Sequence, residues 1–129
     1  LAVDSTAVDF REFKAIGQDI REDYLPVVYG KGYDLNFVLE GYNGRLQEVA
    51  YLTNGKIMMT VSSDQLGLQI YTGNYLDGQL GKGNHPYQEN GGIAMETQLF
   101  PDSNHKGHFF SSIINANEKK TYNVIYRFK

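Results

Sequence analysis

Three polar side chains stand out by type and position: Asp34 in GYDLNFVLEG, Gln69 in GLQIYT and Glu96 in GGIAMETQLFPDSNH. Carboxylates and an amide are groups that hydrogen-bond a polyol, and a glutamate able to take a proton adds general-base chemistry. Each of the three sits inside an apolar run, on the opposite parity from the main apolar row. Gly91-Gly92 and Pro101-Asp102-Ser103 bracket Ile93 to Phe100, which therefore reads as one strand. Along it Ile93, Met95, Thr97 and Leu99 face one way, and Ala94, Glu96, Gln98 and Phe100 the other. Around Asp34, the residues Tyr33, Leu35, Phe37 and Leu39 alternate with Asp34, Asn36, Val38 and Glu40; in GLQIYT, Leu68, Ile70 and Thr72 oppose Gln69 and Tyr71. If these strands neighbour one another in a sheet, Asp34, Gln69 and Glu96 project from one surface that fits a sugar, with Tyr71 and Phe100 as an apolar or stacking wall. The competing reading is a sheet with one merely solvated face.

The remaining reactive residue types make weaker patterns. His105 and His108 are spaced as H-x2-H beside Asp102, but no third nitrogen or sulfur ligand lies nearby, so no metal is expected. An exposed, solvated imidazole is the expectation for His85 in its Gly-rich surroundings. No Gly-x-Ser-x-Gly elbow occurs, and Ser62-Ser63 and Ser111-Ser112 lack an identifiable base. GQLGKG is not a phosphate loop: it has neither the Walker spacing nor a Lys-Ser or Lys-Thr end, and no helix follows.

The elements that must position these groups are strands. The chain has 129 residues, 41% of them hydrophobic and 21% charged, and its 14 Gly, 10 Tyr and 7 Phe favour strands and turns. That length is one domain, 1–129, able to bury a core. There is no Cys, which excludes disulfides, thiolate metal sites and cysteine nucleophiles. With a net charge of -3 and scattered basic residues, nucleic acid is not an expected partner. No apolar run approaches the roughly 20 residues of a membrane span, so no membrane partner is expected and the expected location is cytoplasmic.

Taken in order, Leu1 to Pro26 carries charges wherever an amphipathic helix needs a clean face, and reads as an irregular lead-in with at most a short turn of helix. Leu46 to Leu52 and Ile57 to Ser63 flank Thr53-Asn54-Gly55-Lys56, a strong hairpin signal, with Met58 and Met59 as core filler. The stretch from Gly73 to Gly92 is a long, turn-rich loop. A further short strand is expected over Phe109 to Ile114, and TYNVIYRFK closes the chain as a strand in need of a partner.

GYDLNFVL, LGLQIYTGNYL, the following GKG, GIAMETQLFPDS and the final TYNVIYRF, in this order, resemble the C-terminal part of the aldose 1-epimerases, or galactose mutarotases. The lead-in AVDSTAVDFREFKAIGQDI is similar to the family's segment ahead of its Tyr-Asp strand, so the resemblance covers nearly the whole chain. It implies a large, mostly antiparallel β-sandwich and cofactor-free interconversion of the α and β anomers of a hexose such as galactose or glucose. By motif position Glu96 matches the catalytic base, Asp34 the substrate-binding aspartate and Gln69 a glutamine lining the site.

Two departures accompany the resemblance. Leu35 and Leu99 stand where the family commonly has histidines, on the apolar parity, which implies altered packing behind the site. The family's general acid, an upstream histidine, has no counterpart here; Asn84-His85-Pro86 is only superficially like an upstream motif. Beginning at Leu1 rather than Met, the chain is expected to be the downstream portion of a longer enzyme, poorly active alone. Its expected partners are the monosaccharide and either the missing N-terminal half or a self-associated copy, since strands that met the absent half leave edges that favour association. A noncatalytic carbohydrate-binding β-sandwich is the alternative.

Overall fold

The computed structural model describes all 129 residues. As the alternation requires, the chain is all-β apart from one short helix and two single 3-10 turns. The strands are β1 (Asp34–Val38), β2 (Gln47–Thr53), β3 (Met58–Ser63), β4 (Gly67–Tyr71), β5 (Ala94–Gln98) and β6 (Val124–Phe128). They form two three-stranded sheets, ordered β1-β4-β5 and β2-β3-β6. Thr72 N–H donates to Tyr33 O at 3.0 Å beyond one end of β1, and Leu39 N–H to Leu66 O at 2.9 Å beyond the other. Chain order thus runs oppositely in the two strands, so β1 and β4 are antiparallel.

In the second sheet β2 and β3 form the expected hairpin, closing with Thr53 opposite Met58. Asn54 builds the turn: its Oδ1 accepts from Lys56 N at 3.0 Å and Ile57 N at 2.9 Å, while Gly55 takes φ +84°, which its missing Cβ permits. β6 pairs antiparallel with the other side of β3, from Met59 opposite Phe128 to Ser63 opposite Val124. Asp64 extends this seam. Its carboxylate accepts from Asn123 N at 3.0 Å and Asn123 Nδ2 at 2.7 Å. Although burial works against its charge, these bonds and one from Gln65 hold the carboxyl below its ordinary range.

Packing divides the chain into two compact units, Leu1–Leu35 with Gln69–Met95, and Asn36–Leu68 with Glu96–Lys129. The core of the first gathers Ala7, Val8, Val27 and Tyr33. Its lead-in is irregular, as expected, yet tied down: Tyr33 Oη donates to Ala7 O at 3.1 Å, and Phe10 meets the Tyr33 ring edge-on at 5.0 Å. Lys14 Nζ donates to Ala7 O and Asp19, and lies over the Phe10 ring at 4.5 Å. The core of the second unit gathers Val61, Leu66 and Leu68.

Several expectations shift. The stretch before Asp34 holds a helix, α1 (Leu25–Gly30), which begins within the irregular lead-in and runs past its expected end at Pro26. Pro26 suits its first turn, where a missing N–H is harmless, and Lys31 ends it at φ 55°, in the left-handed conformation. The strand around Glu96 is shorter than Ile93 to Phe100, and no strand forms over Phe109 to Ile114. Met58 is exposed rather than core filler. Within the long loop, Leu80 pairs with Pro86 as a small bridge. No helix is long and apolar enough to cross a membrane.

Candidate functional site

In the first unit the structure brings Asp34 and Gln69 together. Asp34 opens β1 and Gln69 is central in β4; Gln69 Nε2 donates to Asp34 Oδ1 at 2.7 Å. The bond orients the amide and leaves Asp34 Oδ2 and the Gln69 carbonyl as further acceptors. Both side chains stand on the polar parity read from the sequence. Tyr71 shares it, half-buried, and its hydroxyl accepts from Tyr75 N at 3.0 Å, which fixes the ring beyond Gln69.

Behind this pair lies a buried polar cluster. Asn74 Nδ2 donates to Gly30 O at 2.7 Å and to Tyr33 O at 3.0 Å. Asn74 Oδ1 accepts from Thr72 Oγ1 at 2.6 Å and from Asn90 Nδ2 at 2.9 Å. Tyr33 N–H donates to Thr72 Oγ1 at 3.1 Å. Arg21 secures the outer flank, donating to Asn90 Oδ1 at 3.0 Å and pairing with Glu89 at 3.0 Å.

In the second unit Glu96 is exposed on β5, with Gln98 on the same parity. Gln98 Nε2 donates to Asn36 Oδ1 at 3.1 Å. Gly67 makes room for this contact: a Cβ there falls 2.6 Å from Asn36 Oδ1, and Gly67 is on β4, the strand between those that carry Asn36 and Gln98. Gly67→Ala is accordingly expected to push the Asn36 amide off Gln98 and destabilise the fold by about 1–3 kcal/mol. Thermal unfolding checks the stability, and the Gln98 side-chain amide resonance checks the contact. Asn36 was visible in the sequence only as one polar position among several; the Gly67 contact that marks it out needs the tertiary structure.

Phe100 meets Phe109 edge-on at 5.1 Å, so the ring expected as a stacking wall is engaged in packing. Leu35 and Leu99 are half-buried. The end of β5 and the segment after it border an open groove of about 730 Å³, lined among others by Leu99, His105, Tyr122 and Asn123. His105 Nδ1 lies 2.5 Å from Asp102 Oδ1, whereas His108 stacks edge-on against Phe109 at 4.5 Å. No group of three or more His, Asp or Glu side chains gathers with metal-binding geometry. His85 follows a 3-10 turn and is exposed.

Comparison with known proteins gives the class. The family model for aldose 1-epimerase matches residues 1–127, and the chain belongs to that family of isomerases. It is 31% identical over 130 residues to galactose mutarotase of Bos taurus, an alignment covering 98% of this chain and 36% of that protein. To aldose 1-epimerase of Haemophilus influenzae it is 37% identical over 102 residues, or 77% of this chain and 28% of that one. The Escherichia coli K12 aldose 1-epimerase is 33% identical over 105 residues, with 79% and 30% covered. The chain thus spans about a third of the length of the curated relatives it matches.

Proposed function

We propose that residues 1–129 make up the C-terminal portion of one aldose 1-epimerase domain and carry the base and part of the sugar grip for mutarotation of a hexose such as galactose or glucose. Glu96 takes the proton from the anomeric hydroxyl. Asp34 and Gln69 bind sugar hydroxyls. As the proton leaves, an acid delivers one to the ring oxygen, the ring opens, the C1–C2 bond turns, and closure on the other face yields the second anomer. That acid comes from outside these 129 residues, so the chain alone turns sugar over slowly, and the partner that completes it is the upstream portion of the enzyme. The chemistry needs only proton transfers and therefore no cofactor. The observation that carries this reading is the 2.7 Å bond of Gln69 to Asp34, a preformed acceptor pair in a chain of this family.

The test is a titration of the isotope-labelled chain with galactose and with glucose, followed by NMR. Saturable shifts at Asp34, Gln69 and Glu96 are expected, and Asp34→Asn is expected to weaken binding by about tenfold, through loss of a charged acceptor. Sugar that leaves these three residues unmoved overturns the reading. Binding by an enzyme completed with a relative's upstream portion, with no acceleration of the change in optical rotation, favours the noncatalytic carbohydrate-binding alternative.

A further inference from the structure

The amide of Asn74 is 4% exposed and uses its full hydrogen-bonding capacity, two donors and two acceptor sites. Its four partners come from separate segments. Gly30 is the last residue of α1; Tyr33 immediately precedes Asp34; Thr72 immediately follows β4; and Asn90 lies at the far end of the long loop. The orientation of the amide is therefore not interchangeable, because both carbonyls need a donor and both donors need an acceptor. Gly32 adds a steric constraint. It takes φ +137°, and a Cβ at this residue falls 2.5 Å from Asn74 Oδ1, so the backbone just ahead of β1 lies directly against the amide.

We propose that Asn74 is a positioning residue for the Asp34–Gln69 pair, an inference that rests on the assignment of that pair to sugar binding. The route is short. Asn74 Nδ2 holds the Tyr33 carbonyl, Thr72 Oγ1 accepts from Tyr33 N–H and donates to Asn74 Oδ1, and Asp34 is the next residue along the chain. Thr72 sits three residues beyond Gln69, so the same amide sets β1 and β4 against each other where their two side chains meet. Holding the Gly30 carbonyl also fixes the end of α1 from which the chain turns into β1. Without the Asn74 donor the Gly30 carbonyl loses this partner, and the Tyr33 carbonyl is left to the Thr72 N–H at 3.0 Å and Thr72 Oγ1 at 3.2 Å, so the end of α1 is freed to shift together with the segment that leads into Asp34.

Asn74→Asp tests this in the 129-residue chain, because it keeps the size of the side chain and removes the donor. Two readouts are taken: the Gln69 side-chain amide resonance, which reports its bond to Asp34, and the dissociation constant for galactose. Loss of the bonded Gln69 resonance and about tenfold weaker galactose binding are expected. Val61→Ala, which opens the buried core of the other unit, controls for instability and is expected to change neither readout. Where Asn74→Asp does not fold, Asn90→Ala removes one donor to Asn74 from the less buried flank, and is expected to shift the Gln69 resonance partway. An unchanged Gln69 resonance in a folded variant, or equal effects from Val61→Ala, overturns the positioning role. Should the unaltered chain bind no galactose, the sugar-binding assignment fails, and the Gln69 resonance still decides whether Asn74 positions the pair.

Discussion

Glu96→Gln, made in an enzyme that joins this chain to the upstream portion of a relative, is expected to slow mutarotation by at least about 10²-fold. The measurement is the optical rotation of fresh α-D-galactose or α-D-glucose over time. The amide keeps the shape of the carboxylate and one acceptor oxygen, but it cannot take the anomeric proton. Glu96 is an exposed side chain on β5, so the substitution is expected to leave stability within about 0.5 kcal/mol and the unfolding temperature nearly unchanged. A rate loss at constant stability therefore reports on chemistry. A fully active variant removes Glu96 from the role of base, whatever Asp34 and Gln69 do.

The largest effect on stability is expected at Tyr33. Its side chain is 0% exposed, packs against Phe10 and donates to Ala7 O, joining β1 to the lead-in. Tyr33→Ala is expected to cost about 3–5 kcal/mol in chemical denaturation, as for other buried aromatic truncations. That is a large share of the roughly 5–15 kcal/mol that holds a domain together. Tyr33→Phe removes only the hydrogen bond and is expected to cost about 1 kcal/mol. Burial first, and then the negative charge of Asp19, push the Tyr33 hydroxyl up to about 12. Since the unfolded chain ionises more readily, stability from this group is complete below pH 10 and fades as pH rises toward 12. The alkaline decline should be shallower in Tyr33→Phe, and identical curves for the two proteins contradict this account.

What the sequence disclosed follows from which features are local. Period-two alternation located β1 and β4 to within a residue or two, and Asn54-Gly55 located the β2–β3 hairpin, because strand parity and turn chemistry are written in neighbouring residues. Parity set Asp34 and Gln69 each opposite the apolar row of its own strand, but that β1 and β4 are neighbours, which brings the two into contact, is a long-range fact that parity does not hold. The strand expected over Phe109 to Ile114 failed because an apolar run becomes a strand only beside a partner, and neither sheet pairs with it. Helix α1 was obscured by its length: six residues show less than two turns of periodicity. Least legible was Asn74. Its partners are scattered from Gly30 to Asn90, and nothing in YTGN announces that this amide closes four hydrogen bonds.

The interleaving of the two sheets along the chain also dictates an order of events in folding. The β2–β3 hairpin closes through a short turn, and such hairpins form in roughly 1–10 μs. β6 docks on the same β3, yet the Asp64–Asn123 bonds beside that seam join residues 59 apart. The loop that must close for β6 to dock also carries β4 and β5 of the other sheet, because both lie between the hairpin and β6. Local closure thus precedes a long-range one whose entropic cost must be met before its contacts form, and contact topology of this kind gives slow folding. The seam between β3 and β6 is the step at which this chain is expected to wait, with the open side of a formed hairpin available to any other strand that arrives first.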